Sequence, residues 1–219
     1  MCDEKQKNGH TKGDTLKKVS SFLFLRKAGK SMSDMKSEKE KAEASRREYL
    51  TIEELKQLIS TECKYEIMKQ AFLFSCLCGL RVSDIRKLKW SDLQKSGERI
   101  RIEIKMQKTK EPLYLPISDE ALKWLPGEAK DDDLIFPLTH EGTINNILQK
   151  WAKAAGVTKH ISFHVARHTH ATMMLTLGAD LYTVSKLLGH KNIATTQIYA
   201  KVVDKKKEEA VSLIPNLTD

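Results

Sequence analysis

The sequence predicts a mainly α domain of the α+β class, helical except for one small antiparallel β-hairpin or three-stranded sheet. Three observations point there. From residue 49 onward, apolar residues recur at helical spacing between caps. One stretch, RIRIEI at residues 99–104, alternates strictly instead. Only five prolines and ten glycines punctuate 219 residues, too few for a loop-rich β architecture.

Each element has its own signal. Residues 1–48 are rich in Lys, Ser and Glu, with VSSFLFL (19–25) as the sole apolar stretch, so they read as a basic, largely flexible segment with one short helix. At Tyr49 the texture changes. Thr51 followed by Glu54 is a capping-box pattern opening the helix TIEELKQLIS. A second, more apolar helix is expected over residues 65–78, stopped by Gly79, and a short one after Arg81 in LRVSDIRKLKW. The strand 99–104 puts Ile100, Ile102 and Ile104 on one face. Residues 113–117 are its expected partner, across a turn rich in Lys105, Lys108 and Lys110.

The remainder predicts helices. One covers 142–155 and ends at Gly156. Ser162 caps another through 177, closed by Gly178, and Asp180 caps a third to 188, closed by Gly189. Asn192 caps a fourth through 200, and residues 204–213 form the last.

Composition narrows the function classes. Lys plus Arg outnumber Asp plus Glu by 38 to 29, and the first 48 residues hold 13 basic against 8 acidic residues. The excess favours polyanionic partners, DNA or RNA first, though a solvated mixed-charge surface explains it equally well on composition alone. The longest apolar run, AFLFSCLCGL (71–80), falls well short of the ~18 residues of a membrane helix. Cys2, Cys63, Cys76 and Cys78 show no C-x-x-C spacing and follow no apolar leader, so they read as reduced thiols.

Four of the seven histidines fall between His160 and His170. His164 and His168 share a helical face, which invites a metal reading. The H-E-x-x-H pattern, however, needs a glutamate where Val165 stands. His164 and Arg167, three apart, suit a phosphate better: a bidentate cation beside a proton donor or acceptor. Arg81 follows a helix-ending glycine, and His190 sits in LLGH directly after another. Nine residues on is Tyr199, a phenol that becomes a nucleophile only if its proton is removed and its charge stabilised. Each residue alone has an ordinary explanation: Arg81 as an ion pair with Asp84, Tyr199 as a core edge. Their joint order and spacing argues for chemistry.

At these residues the chain resembles the tyrosine recombinases, the integrases and resolvases of phages, transposons and chromosome-dimer resolution. The likeness lies in GLRVSDIRKLKW, IRIEIKMQKTKEPLYLPI and HVARHTHATMMLTLGADLYTVSKLLGHKNIATTQIYAKV, over roughly residues 49–212. It implies a tyrosine-recombinase catalytic domain at 49–219, preceded at 1–48 by a possible remnant of the family's core-binding domain. It implies Arg81, Lys108, His164, Arg167, His190 and Tyr199 as catalytic residues, supported by Asp84. Tyr199 would attack a DNA phosphorus, Lys108 would protonate the leaving oxygen and His164 would take the phenol proton. No metal or cofactor is implied. The implied setting is cytoplasmic and nucleoid-associated, with no membrane. The implied partners are double-stranded DNA, copies of the chain in a tetramer on DNA, and accessory DNA-bending proteins. Ala166 and His170 stand where larger apolar residues are expected. Two alternatives are a type IB topoisomerase-like strand-passage enzyme and a non-catalytic DNA-binding fragment.

Overall fold

The computed structural model describes residues 48–127 and 129–199. The expectations for residues 1–47, for Cys2 and for the helix at 204–213 lie outside the described residues.

Helix α1 (Ile52–Ser60) opens on the expected capping box. Thr51 N–H donates to Glu54 Oε2 at 2.8 Å, and Glu54 N–H donates to Thr51 Oγ1 at 3.2 Å. It buries Leu55 and Leu58. Helix α2 (Glu66–Cys78) is apolar on nearly every side, as a helix enclosed by its neighbours must be. Its end is set by Gly79 at φ 75°. Lys69, on α2, closes the C-terminus of α1 by donating to the carbonyls of Ile59 and Thr61 at 2.9 and 3.0 Å.

After the short α3 (Val82–Ile85) and a 3-10 turn (Trp90–Asp92), the chain forms an antiparallel meander, β1 (Leu93–Ser96), β2 (Arg99–Lys105) and β3 (Pro112–Pro116). Ile102 pairs with Leu93 on one side and Leu115 on the other, so the strict alternation of β2 does put its apolar face on the core. β1 carries no comparable signal, since three of its four residues are exposed. The short α4 (Asp119–Leu122), capped by Ser118, also escaped prediction.

Helix α5 (Glu141–Ala154) precedes α6 (Phe163–Thr176), which packs on α2. The core forms where these three meet. The Phe72 ring stands edge-on to Trp151 at 6.0 Å and to Phe163 at 5.8 Å. Edge-to-face pairs of this kind add about 0.5–1.5 kcal/mol beyond the area they bury. At the start of the described chain, Leu50 N–H donates to Thr169 Oγ1 at 2.9 Å, tying the residues just before α1 to α6.

Two expected caps are revised. Ser162 does sit at the N-cap of α6, but its side chain makes no cap bond; Asn145 Oδ1 from α5 accepts the Phe163 N–H instead, at 3.1 Å. Asn192 starts no α-helix. After α7 (Leu181–Leu187), the chain makes two 3-10 turns, Ile193–Thr195 and Gln197–Tyr199. The Asn192 side chain accepts from Ala194 N–H, two residues on, and Thr196 and Tyr199 N–H groups bond three residues back. That tighter spacing is the 3-10 pattern, and the β-branched Ile193, Thr195 and Thr196 lower the propensity for a regular α-helix here. Among the described residues, no helix is long and apolar enough to cross a membrane.

Candidate active site

Arg167 is the central brace. It projects from α6 and is 5% exposed. Its Nη1 donates to Gly79 O at 2.7 Å, and its Nη2 donates to Leu188 O. These carbonyls lie at the C-terminal ends of α2 and α7, where helices leave acceptors unsatisfied and carry partial negative charge. One guanidinium thus ties three helices together. Gly79 is required for this geometry. Its φ of 75° is left-handed, and an added Cβ would lie 2.6 Å from His170 Cδ2. Burial, then the neighbouring Arg81 charge, pulls the Arg167 guanidinium down to about 9, which still leaves it charged at neutral pH.

Arg81 starts α3 and is half-buried; burial lowers its guanidinium from the usual range, opposed by Asp84 and Tyr199. Its Nη1 lies 3.6 Å from Met106 Sδ. Met106 in turn fills the space over Gly189, where an added Cβ would sit 2.6 Å from the sulfur. Asp84 is 3% exposed, and its Oδ1 accepts the backbone N–H of Gln107 at 2.7 Å. This ties α3 to the β2–β3 turn one residue before Lys108. The surface ion pair weighed for Arg81 and Asp84 is therefore replaced by a buried backbone anchor. Lys108 stands exposed on that turn, and no hydrogen bond or ion pair joins it to the other described site residues.

His190 follows Gly189, and its Nδ1 lies 2.8 Å from Thr196 Oγ1. Burial, then Arg167 and Arg81, push its ring down to about 4, so it is neutral at pH 7. Tyr199 is 7% exposed and packs with Ala171, Leu175, Val184 and Leu188, a small apolar cluster that holds the ring while its hydroxyl remains polar. That hydroxyl lies 2.6 Å from His168 Nδ1. The His168 and His164 rings meet edge-on at 4.8 Å, with His164 exposed.

Arg81, Asp84, Arg167, His190 and Tyr199 thus gather within electrostatic reach of one another, with His164 one ring removed through His168. Lys108 is brought to the same side only through its neighbour Gln107. Sequence reasoning missed His168, Thr196 and Met106 as parts of the site. For His168 a signal existed, because it shares a helical face with His164 and directly follows Arg167. For Thr196 and Met106 no local pattern marks the contact.

A braced cationic group around a buried tyrosine on a helical domain defines a class of protein, and comparison with known proteins identifies it. The chain belongs to the phage integrase family, whose pattern matches residues 48–206. A tyrosine recombinase of Pseudothermotoga lettingae is 31% identical over 175 residues, covering 75% of this chain and 60% of the relative. The crystal structure of XerA recombinase superposes with a TM-score of 0.59 at 26% identity, covering 74% of this chain and 63% of that one. XerH recombinase, solved bound to its palindromic difH substrate after cleavage, shares the fold at a TM-score of 0.61 and 20% identity, covering 76% and 53%. The chain spans about half the length of the curated relatives it matches. The family and fold expected from the motifs are borne out.

Proposed function

We propose that this chain carries the strand-cleaving domain of a site-specific DNA recombinase, which breaks and rejoins duplex DNA through a 3′-phosphotyrosyl bond. The observation that carries the reading is the setting of Tyr199. Its hydroxyl is held by a histidine and lies within electrostatic reach of Arg81 and Arg167. In this reading, the Tyr199 oxygen bonds to phosphorus in line as the bond from phosphorus to the 5′ oxygen breaks. Arg81, Arg167 and His190 stabilise the charge that builds on the non-bridging oxygens. The phenol proton passes to His168, its hydrogen-bond partner, whose ring meets that of His164 edge-on. Lys108, exposed on its turn, supplies the proton that the leaving 5′ oxygen takes up. The phosphotyrosyl bond conserves the energy of the broken linkage, so a hydroxyl from a second strand can reverse the step and join new partners.

The recombinase name of the Pseudothermotoga relative and the DNA-bound state of the XerH structure support duplex DNA as the substrate. We extend the reading to a tetramer on DNA, to accessory bending proteins, and to a cytoplasmic, nucleoid-associated setting in a bacterial mobile element. The basic residues 1–48 would add phosphate contacts ahead of the catalytic domain at 49–219.

Covalent trapping tests the proposal. The protein is incubated with pooled nicked duplexes designed so that the cleaved 5′ fragment diffuses away. A denaturant-resistant adduct that disappears in Tyr199→Phe is the expected result, with a defined cleavage site. Site-independent relaxation of supercoiled plasmid would favour the topoisomerase-like alternative. DNA binding without any adduct would overturn the assignment.

A further inference from the structure

His190 is anchored at one ring nitrogen and must act through the other. Its Nδ1 lies 2.8 Å from Thr196 Oγ1, and such a bond can run either way: imidazole N–H into hydroxyl, or hydroxyl into bare nitrogen. The surroundings choose between them. Thr196 is fully buried, at 0% exposure, and His190 Nδ1 is the hydrogen-bond partner of its hydroxyl among the described residues. If His190 donated, the hydroxyl proton would be left buried without an acceptor, an arrangement that folded interiors avoid. If the hydroxyl donates, both groups are satisfied.

We propose that Thr196 is a positioning residue that fixes His190 in its Nε2–H tautomer, so that the ring presents an N–H donor to the phosphate before DNA arrives. The role of that donor rests on the function proposed above; the tautomer itself does not. The backbone around Thr196 makes the arrangement rigid. Thr196 N–H donates to Ile193 O at 2.7 Å, Tyr199 N–H donates to Thr196 O at 3.0 Å, and His190 N–H donates to Ser185 O at 3.0 Å. The residue that sets the tautomer of His190 therefore also holds the turn that presents Tyr199. A fixed tautomer matters because this ring is neutral at pH 7. It has one N–H, and the nitrogen bearing it decides whether the free edge donates to a phosphate oxygen or can only accept. The same device, a partner on one nitrogen setting the state of the other, orients metal-bound histidines.

The test uses the full chain labelled with ¹⁵N-histidine. Long-range ¹H–¹⁵N correlation at pH 7 without DNA, assigned by loss of signals in His190→Gln, reads the tautomer directly. The expected spectrum has a protonated Nε2 and a bare Nδ1. Thr196→Val keeps the shape and removes the hydroxyl, and it should shift the signals toward a mixture; Thr196→Ser should restore them. An Nδ1–H tautomer in the native protein, or an unchanged spectrum in a folded Thr196→Val, would overturn the proposal. In the trapping assay, Thr196→Val should form adduct about 10–100-fold more slowly, with recovery by Ser. Absence of any adduct from the native protein would count against the recombinase reading and leave the spectroscopic result standing.

Discussion

The hydroxyl of Tyr199 and Nδ1 of His168 lie 2.6 Å apart, although 31 residues separate them in the chain. This contact joins the last described turn to the helix that carries Arg167, and in the proposed reaction His168 Nδ1 would take up the phenol proton. General-base assistance is worth about 10²–10⁴-fold. His168→Phe should therefore slow single-turnover adduct formation on a nicked duplex by about that factor. A melting curve establishes that the variant is folded, and a rate equal to the native one would remove His168 from the proton path.

Asp84 should matter for the turn as much as for the arginine beside it. Its carboxylate is the acceptor for Gln107 N–H, and hydrogen bonds to charged groups contribute about 1.5–3 kcal/mol. Asp84→Ala should lower the melting temperature by about 3–12 °C for a domain of this size. It should also speed hydrogen exchange at the Gln107 amide selectively. Unchanged exchange there would mean the turn is held by other contacts.

Gly79→Ala should loosen the brace at Arg167. The left-handed backbone alone costs a side chain about 1–2 kcal/mol, and the new methyl would press on the His170 ring. Adding His170→Ala should recover the steric part but leave the backbone part. A double-mutant cycle on unfolding free energies measures that coupling; strict additivity would show that the close approach is relieved elsewhere.

Acid should destabilise the fold through His170. This ring is 4% exposed, and burial, with Arg167 adding to it, pushes it down to about 4 from the ordinary 6.5. Neither ring nitrogen makes a well-formed hydrogen bond, although the nearby backbone of Cys76 and Leu77 opposes the shift by favouring the charged form. Between pH 6.5 and 4 the unfolded chain binds the proton and the folded one resists it, so stability falls as pH falls. The full window is worth on the order of 3 kcal/mol. His190 adds a smaller effect of the same sign because its ring is half-exposed. Urea unfolding at the two ends of the window should show a drop that His170→Leu reduces. An equal drop in both proteins would assign the acid sensitivity to other groups.

Much of this molecule is written locally. The capping box of Thr51 and Glu54, the left-handed stops at Gly79 and Gly189, and the alternation of β2 follow from rules that act within a few residues. The order Arg81, His164, Arg167, His190, Tyr199, with residue types that suit a phosphate and a phenol nucleophile, lies in the motifs by which the chain resembles its family. Distance in the chain marks where this legibility ends. His164 and His168 share a helical face, so spacing alone does not say which one reaches Tyr199. The answer depends on the two 3-10 turns that follow α7 and bring Tyr199 to His168 on α6. The contact of Thr196 Oγ1 with His190 Nδ1, the seat of Met106 between Arg81 and Gly189, and the hold of Asp84 on Gln107 are likewise products of packing. Sequence patterns report which face of a helix or strand is apolar. Which polar atoms then meet across the core depends on how those faces close on one another, and no local rule carries that information.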